Sequence, residues 1–185
     1  MLVYKVGNIF DSNCQTLVNT VNCQGVMGKG LALQFKQRFP RMYDAYVKEC
    51  NIGTSLRNGG DLWLYTCETG RQWSMWDTDG TFRPDRHSKI LCFATKRHWK
   101  HKSQKEWIIR GLQEFRTHYK EWDIRSVAFP KLGCTNGGLR WDNIQPLMDS
   151  MLRGLDIPVE IWVGNENEKP IHPIQIVKNT GNFVI

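Results

Sequence analysis

No apolar run in this chain approaches the ~18 residues that a membrane-spanning helix needs, so no span is expected. Nor does a signal-like segment precede the first strand pattern at Leu2, which predicts a cytoplasmic protein. The six cysteines, Cys14, Cys23, Cys50, Cys67, Cys92 and Cys134, are widely spaced and contain no C-x-x-C pair. Cys50 and Cys92 fall in apolar patterns, which fits reduced thiols in a cytosolic core better than a disulfide framework. There is no internal repeat and no low-complexity tract, so solenoid and disordered classes drop out. His98 and His101 stand three apart, but no carboxylate or thiolate completes a ligand set among the lysines around them, and no metal is expected. The familiar phosphate loops are missing as well. A Walker A loop would need glycine at Cys23 and a hydroxyl residue at Gly30, and Gly28-Lys29-Gly30 is followed by Leu33 where G-x-G-x-x-G needs a third glycine.

What the chain does have is 185 residues, 41% of them hydrophobic, enough for one domain with a full core. Its organising stretch runs from Asn19 to Gly30, Asn-Thr-Val-Asn-Cys-Gln-Gly-Val-Met-Gly-Lys-Gly. A strand end (Leu17, Val18) passes through three glycines in six residues. It then opens onto Leu31, Ala32, Phe35 and Phe39 at helical spacing, closed by Pro40. Glycines admit a ligand close to the backbone, and a helix start offers unpaired N–H groups with a partial positive charge, which suits phosphate. The amides of Asn19 and Asn22 both donate and accept, which suits a ribose hydroxyl pair. On this stretch alone, such a site and an ordinary glycine-rich turn with two asparagines are equally supported.

The remaining periodicities place strands at Leu2–Val6, Leu62–Cys67, Ile90–Ala94, Ser126–Phe129 and Val159–Val163. A second helix is marked by Met42, Tyr43, Tyr46, Val47 and Cys50. A third is expected from Ser103, with a Ser-x-x-Glu capping box closed by Glu106 and an apolar face of Trp107, Ile108, Leu112, Phe115 and Tyr119. Residues 68–89 break the rhythm and read as a hairpin extension or a lid. Trp73 and Trp76 lie there, able to cap a base or to pack on the domain's flank. The strand ending at Phe129 feeds a second glycine-rich loop, Pro130-Lys131-Leu132-Gly133-Cys134-Thr135-Asn136-Gly137-Gly138-Leu139. A fourth helix follows, with Ile144, Leu147, Met148, Met151 and Leu155 on one face. The domain is expected to span 1–163, with 164–185 left unassigned.

Net charge is +7, and its densest part is Lys96, Arg97, Lys100, Lys102 and Lys105 with His98, Trp99 and His101 among them. Basic residues interleaved with an aromatic suit a nucleic-acid backbone and one stacked base; a solvated loop leading into a helix has the same composition. Lys96 stands just past a buried strand, where open α/β sheets place ligands.

Two glycine loops at two strand ends, together with Thr95-Lys96-Arg97, resemble the macrodomain family. Within it the likeness is to the DarG-type antitoxin branch and the terminal ADP-ribose protein glycohydrolase. The resemblance covers Leu2 to Val163. It implies a three-layer α/β/α fold with a mixed six-stranded sheet, ADP-ribose as ligand, and hydrolysis of ADP-ribose from a modified target, with no cofactor. The Thr-Lys segment of those branches carries a catalytic lysine, so Lys96 and Asn22 are the implied catalytic residues, Lys96 as the reacting amine and Asn22 fixing the distal ribose. Implied ADP-ribose contacts are Asn8, Ile9, Asn19, Thr20, Gly25, Val26, Met27, Gly28, Lys29 and Gly30. The second loop adds Pro130, Leu132, Gly133, Cys134, Thr135, Asn136, Gly137, Gly138 and Leu139. Asn8 departs from the family's usual aspartate at the adenine, leaving a neutral acceptor. Gly137 stands where the terminal glycohydrolase has an aspartate, which points to the DNA-directed branch. Thymine in single-stranded DNA is then the implied target, held by Arg97, His98, Trp99, Lys100 and Lys102, with an ADP-ribosyltransferase toxin as partner and a monomeric state. The alternatives are a non-catalytic ADP-ribose reader, a hydrolase acting on protein carboxylates, and a plain nucleic-acid-binding domain.

Overall fold

A computed structural model of the chain describes residues 1–67 and 87–164. Trp73, Trp76, most of the expected 68–89 extension and the tail beyond Gly164 lie outside the described residues.

Six strands form one mixed sheet: β1 (Leu2–Val6), β2 (Thr16–Val21), β3 (Leu62–Thr66), β4 (Lys89–Ala94), β5 (Val127–Pro130) and β6 (Val159–Val163). Their order is β1-β6-β5-β2-β4-β3. Every neighbouring pair is parallel except β3 with β4. The five parallel strands therefore bring their carboxyl ends to one edge of the sheet.

Side-chain alternation along the strands decides what covers each face. Leu91 and Phe93 of β4 join Phe129 and Ile161 under α3 (Lys105–His118) and α4 (Trp141–Leu152). Ile90, Cys92 and Ala94 turn the other way, toward α1 (Gly30–Arg38) and α2 (Pro40–Ile52). The result is the expected three-layer α/β/α arrangement. All described cysteines are free thiols, five of them buried. Among the described residues no helix is long and apolar enough to cross a membrane.

Three local expectations are corrected. Pro40 does not merely close α1: it opens α2 at the first helical position, where a missing N–H costs nothing. The β5 strand is shifted by one residue, because Ser126 is spent on the β2 entry, its carbonyl accepting from the Thr16 N–H and its hydroxyl from the Gln15 N–H. The Ser103–Glu106 capping box does not form. The α3 helix starts at Lys105 behind Gln104 with no side-chain cap. Ser103 is instead drawn into the second glycine loop, its N–H donating to the Gly137 carbonyl at 2.9 Å.

Near the start of β6 a buried carboxylate ties this strand to β1 and to the segment before β2. Glu160 accepts from Lys5 Nζ (2.6 Å), Ser12 Oγ (2.6 Å) and Trp162 Nε1 (2.8 Å). Burial alone would raise this carboxyl, but those three donors hold it below its ordinary value of 4.5. A carboxyl lowered by folding stabilises fully above its ordinary value and loses that contribution as pH falls through the folded one. Glu160→Gln is expected to cost roughly 1–3 kcal/mol in urea unfolding at neutral pH, with the gap to wild type narrowing in acid. A gap that stays constant on acidification would contradict this.

Candidate functional site

A cleft of about 1150 Å³ opens along the sheet edge where the parallel strands end. Each parallel strand contributes to it. From β1 come Gly7, Asn8 and Ile9; from β2 come Thr20, Val21, Asn22, Val26, Gly28, Lys29 and Gly30. Thr95, Lys96, Trp99 and Lys100 follow β4, and Pro130, Lys131, Gly133, Cys134, Thr135, Asn136 and Gly137 follow β5. Trp162 and Gly164 enter from β6. Four lysines and no carboxylate stand among these described lining residues, so the cleft is built for an anion.

The first loop holds its own shape. The Asn22 carboxamide oxygen accepts from the Gln24 N–H (2.9 Å), and its nitrogen donates to the Val26 carbonyl (2.6 Å). The buried Tyr46 hydroxyl on α2 donates to the Asn22 main-chain carbonyl at 2.7 Å. Asn22 lines the cleft with its side chain already committed to the turn, which makes it a residue that positions the loop. Asn8 lines the cleft while its side-chain oxygen accepts from the Phe10 N–H, capping the single turn Ile9–Asp11.

The second loop is compressed against α3. A Cβ at Gly137 would lie 2.1 Å from the Gly133 carbonyl oxygen and 2.4 Å from Ser103 Oγ. That Ser103 hydroxyl is buried without a hydrogen-bond partner. The two loops also meet: Gly30, at φ +57, leaves room for the Asn136 carboxamide, which would lie 2.5 Å from a Cβ there.

Lys96 sits where these parts converge. Its amine donates to the Asn136 carbonyl at 2.5 Å and lies 3.5 Å from the Trp99 carbonyl. Burial lowers its pKa from the ordinary 10.5. The neighbouring Arg97 guanidinium has no part in this lowering. Arg97 is exposed, and burial is the cause. Arg97 contributes its backbone, whose carbonyl accepts from the Cys23 N–H and ties the first loop to the Lys96 segment.

Several expected contacts lie just outside the lining. Asn19 is fully buried, with its amide nitrogen 3.6 Å from the Met27 sulfur, so the pair packs beneath the loop. Gly25 backs onto Val47, and Leu132 joins the α3–α4 core. Gly138 and Leu139 close the second loop through N–H donation to Cys134 and Gly133 carbonyls. His98 stacks on Trp99, ring centroids 5.6 Å apart, and the Lys102 stem flanks Gly138. Beyond the implied contacts the lining also takes in Gly7, Val21, Leu31, Ala32, Gln34, Thr95, Lys131, Trp162 and Gly164, with Tyr46 and Ser103 behind it. A strand tryptophan on the ligand edge was the one readable signal.

A family model for the Macro domain matches residues 18–148. The chain belongs to the macrodomain family. A curated relative from Thermosipho africanus, named a DNA ADP-ribosyl transferase–DNA ADP-ribosyl glycohydrolase fusion protein, is 39% identical over 166 residues, covering 89% of this chain and 42% of that protein. The solved structure of Thermosipho africanus DarTG in complex with ADP-ribose superposes with a TM-score of 0.74 at 38% identity, over 89% of this macrodomain chain and 42% of that one. The solved macrodomain of Mycobacterium tuberculosis DarG gives a TM-score of 0.75 at 36% identity, over 89% of this chain and 99% of that one. Curated relatives carrying the DNA ADP-ribosyl glycohydrolase name are longer, and this chain spans 42% to 49% of them.

The loop geometry gives a contrast within this macrodomain. Gly137→Ala meets backbone that cannot move aside and is expected to cost about 1–3 kcal/mol in urea unfolding. Gly28→Ala, whose Cβ would touch only Val26 at 3.8 Å, is expected to stay within about 0.5 kcal/mol of wild type. Equal costs at the two positions would contradict the packing described.

Proposed function

We propose that this macrodomain hydrolyses ADP-ribose from a modified thymine base of single-stranded DNA, with Lys96 as the reacting amine. The observation that carries the reading is the Lys96 amine, lowered in pKa by burial, on the wall of a cationic cleft between two glycine loops. The names and the bound ADP-ribose of relatives at 36% to 39% identity support both the ligand and the DNA target.

In this reading the loop N–H groups take the diphosphate, and α1 adds the positive end of its dipole. Asn8 accepts from the adenine amino group. Asn22 keeps the first loop in the shape that seats the distal ribose, so the anomeric carbon comes to rest beside Lys96. No carboxylate pair lines the described cleft for a two-carboxylate glycosidase scheme. The unprotonated Lys96 amine forms a bond to the anomeric carbon as the bond to the thymine nitrogen breaks. That nitrogen departs with the electron pair and takes up a proton. Ring opening gives an imine at Lys96, and water then adds to release ADP-ribose and restore the amine. Arg97, His98, Trp99, Lys100 and Lys102 hold the strand. The transferase joined to the glycohydrolase in the Thermosipho africanus relative supports an ADP-ribosyltransferase as partner, which would give this macrodomain an antitoxin role.

The test is incubation with thymine-linked and glutamate-linked ADP-ribose side by side. Wild type is expected to release ADP-ribose from the thymine-linked oligonucleotide. Lys96→Ala is expected to lose roughly 10³-fold or more in rate while still binding free ADP-ribose. Because the attacking form is unprotonated, the wild-type rate should rise with pH and level off at a pH below 10.5. Release from the glutamate-linked substrate alone, or unimpaired turnover by Lys96→Ala, would overturn the reading.

A further inference from the structure

We infer that Trp99 is the stacking platform for a nucleobase of the target strand, and the residue by which the site prefers DNA-linked over free ADP-ribose. The inference rests on the DNA reading above and adds to it the residue and the contact that select the strand.

Of the eight tryptophans in the chain, Trp73 and Trp76 lie outside the described residues. Among the other six, five are buried or half-buried and only Trp99 is exposed, at 48%. A large ring left in water at the mouth of a cleft has no core to serve. Its position is fixed all the same. One neighbour is His98, stacked at 5.6 Å with 23° between the planes, and His98 in turn packs on His101 at 5.0 Å. The His98 imidazole also accepts from the Lys100 N–H at 3.2 Å. The Trp99 carbonyl lies 3.5 Å from the Lys96 amine, so the ring is set a few bonds from the reacting group.

The surroundings of the ring choose the kind of partner. The Lys100 amine rests 5.1 Å from the ring centroid, and Arg97 and Lys102 are exposed alongside. The ring contacts found among the described residues are with an imidazole and an ammonium group. A flat, sequence-tolerant π surface with phosphate-seeking cations around it matches a single-stranded nucleic acid, one base on the indole and a phosphate on Lys100. Drawing Lys100 toward a phosphate would uncover the indole for the base.

The experiment measures binding, so it does not depend on turnover. It uses Lys96→Gln protein, which keeps an N–H donor near the Asn136 and Trp99 carbonyls but carries no nucleophilic amine. Affinities are taken for free ADP-ribose and for a short single-stranded oligonucleotide bearing ADP-ribose on thymine. The modified oligonucleotide is expected to bind more tightly than free ADP-ribose. Adding Trp99→Ala should shrink that advantage about tenfold or more, and Trp99→Phe should restore part of it. An advantage untouched by Trp99→Ala would overturn the inference. So would an equal loss for both ligands, which marks a structural role, or the absence of any advantage for the oligonucleotide. Failure of wild-type turnover with the tight binding intact would instead strike the proposed reaction and leave the platform standing.

Discussion

The contact on which the site depends is the one between the Lys96 amine and the Asn136 carbonyl. It joins the segment after β4 to the loop after β5, across the β2 strand that separates them in the sheet. The first loop is bound into the same knot from below, through the Cys23 N–H on the Arg97 carbonyl and through Gly30 under the Asn136 carboxamide. Three chain segments far apart in sequence thus share one small volume. An amine in that volume is partly stripped of water, which is why its pKa falls without a neighbouring cation to push it.

The sheet makes this convergence possible. Parallel pairing of β1, β6, β5, β2 and β4 sends all five exits to one edge, and the helices cover the two faces of the sheet. Close packing sets the details. A Cβ on Gly111 of α3 would meet the Phe93 ring at 2.2 Å, so the helix lies hard against β4 three residues before Lys96. Ser103, at the entrance to the same helix, is where the second loop leans. Its buried, unpartnered hydroxyl is the cost of putting the loop so close, of the order of 1–3 kcal/mol.

Much of this was legible in the sequence because local patterns and global fold agree. Leu2–Val6 and Val159–Val163 read as strands from their own residues, and both glycine loops were visible as breaks between a strand and a helical period. The inward-facing details were not. Asn19 and Asn22 look alike in sequence, yet the first packs against a buried sulfur and the second clamps a turn, a difference set by strand register. The Ser103 cap signal was sound local chemistry that lost to a tertiary hydrogen bond with Gly137. Tyr46 supports the first loop from a different helix, and nothing in a one-dimensional pattern links it to Asn22. Trp162 reaches the cleft because Glu160 holds its indole N–H, a pairing within one strand that periodicity alone reads as core.

The most direct measurement is a crystal structure of this macrodomain with ADP-ribose bound. The account predicts the diphosphate across both glycine loops and the anomeric carbon of the distal ribose within contact distance of Lys96 Nζ. A ligand lying in the cleft with that carbon turned away from the amine would contradict it.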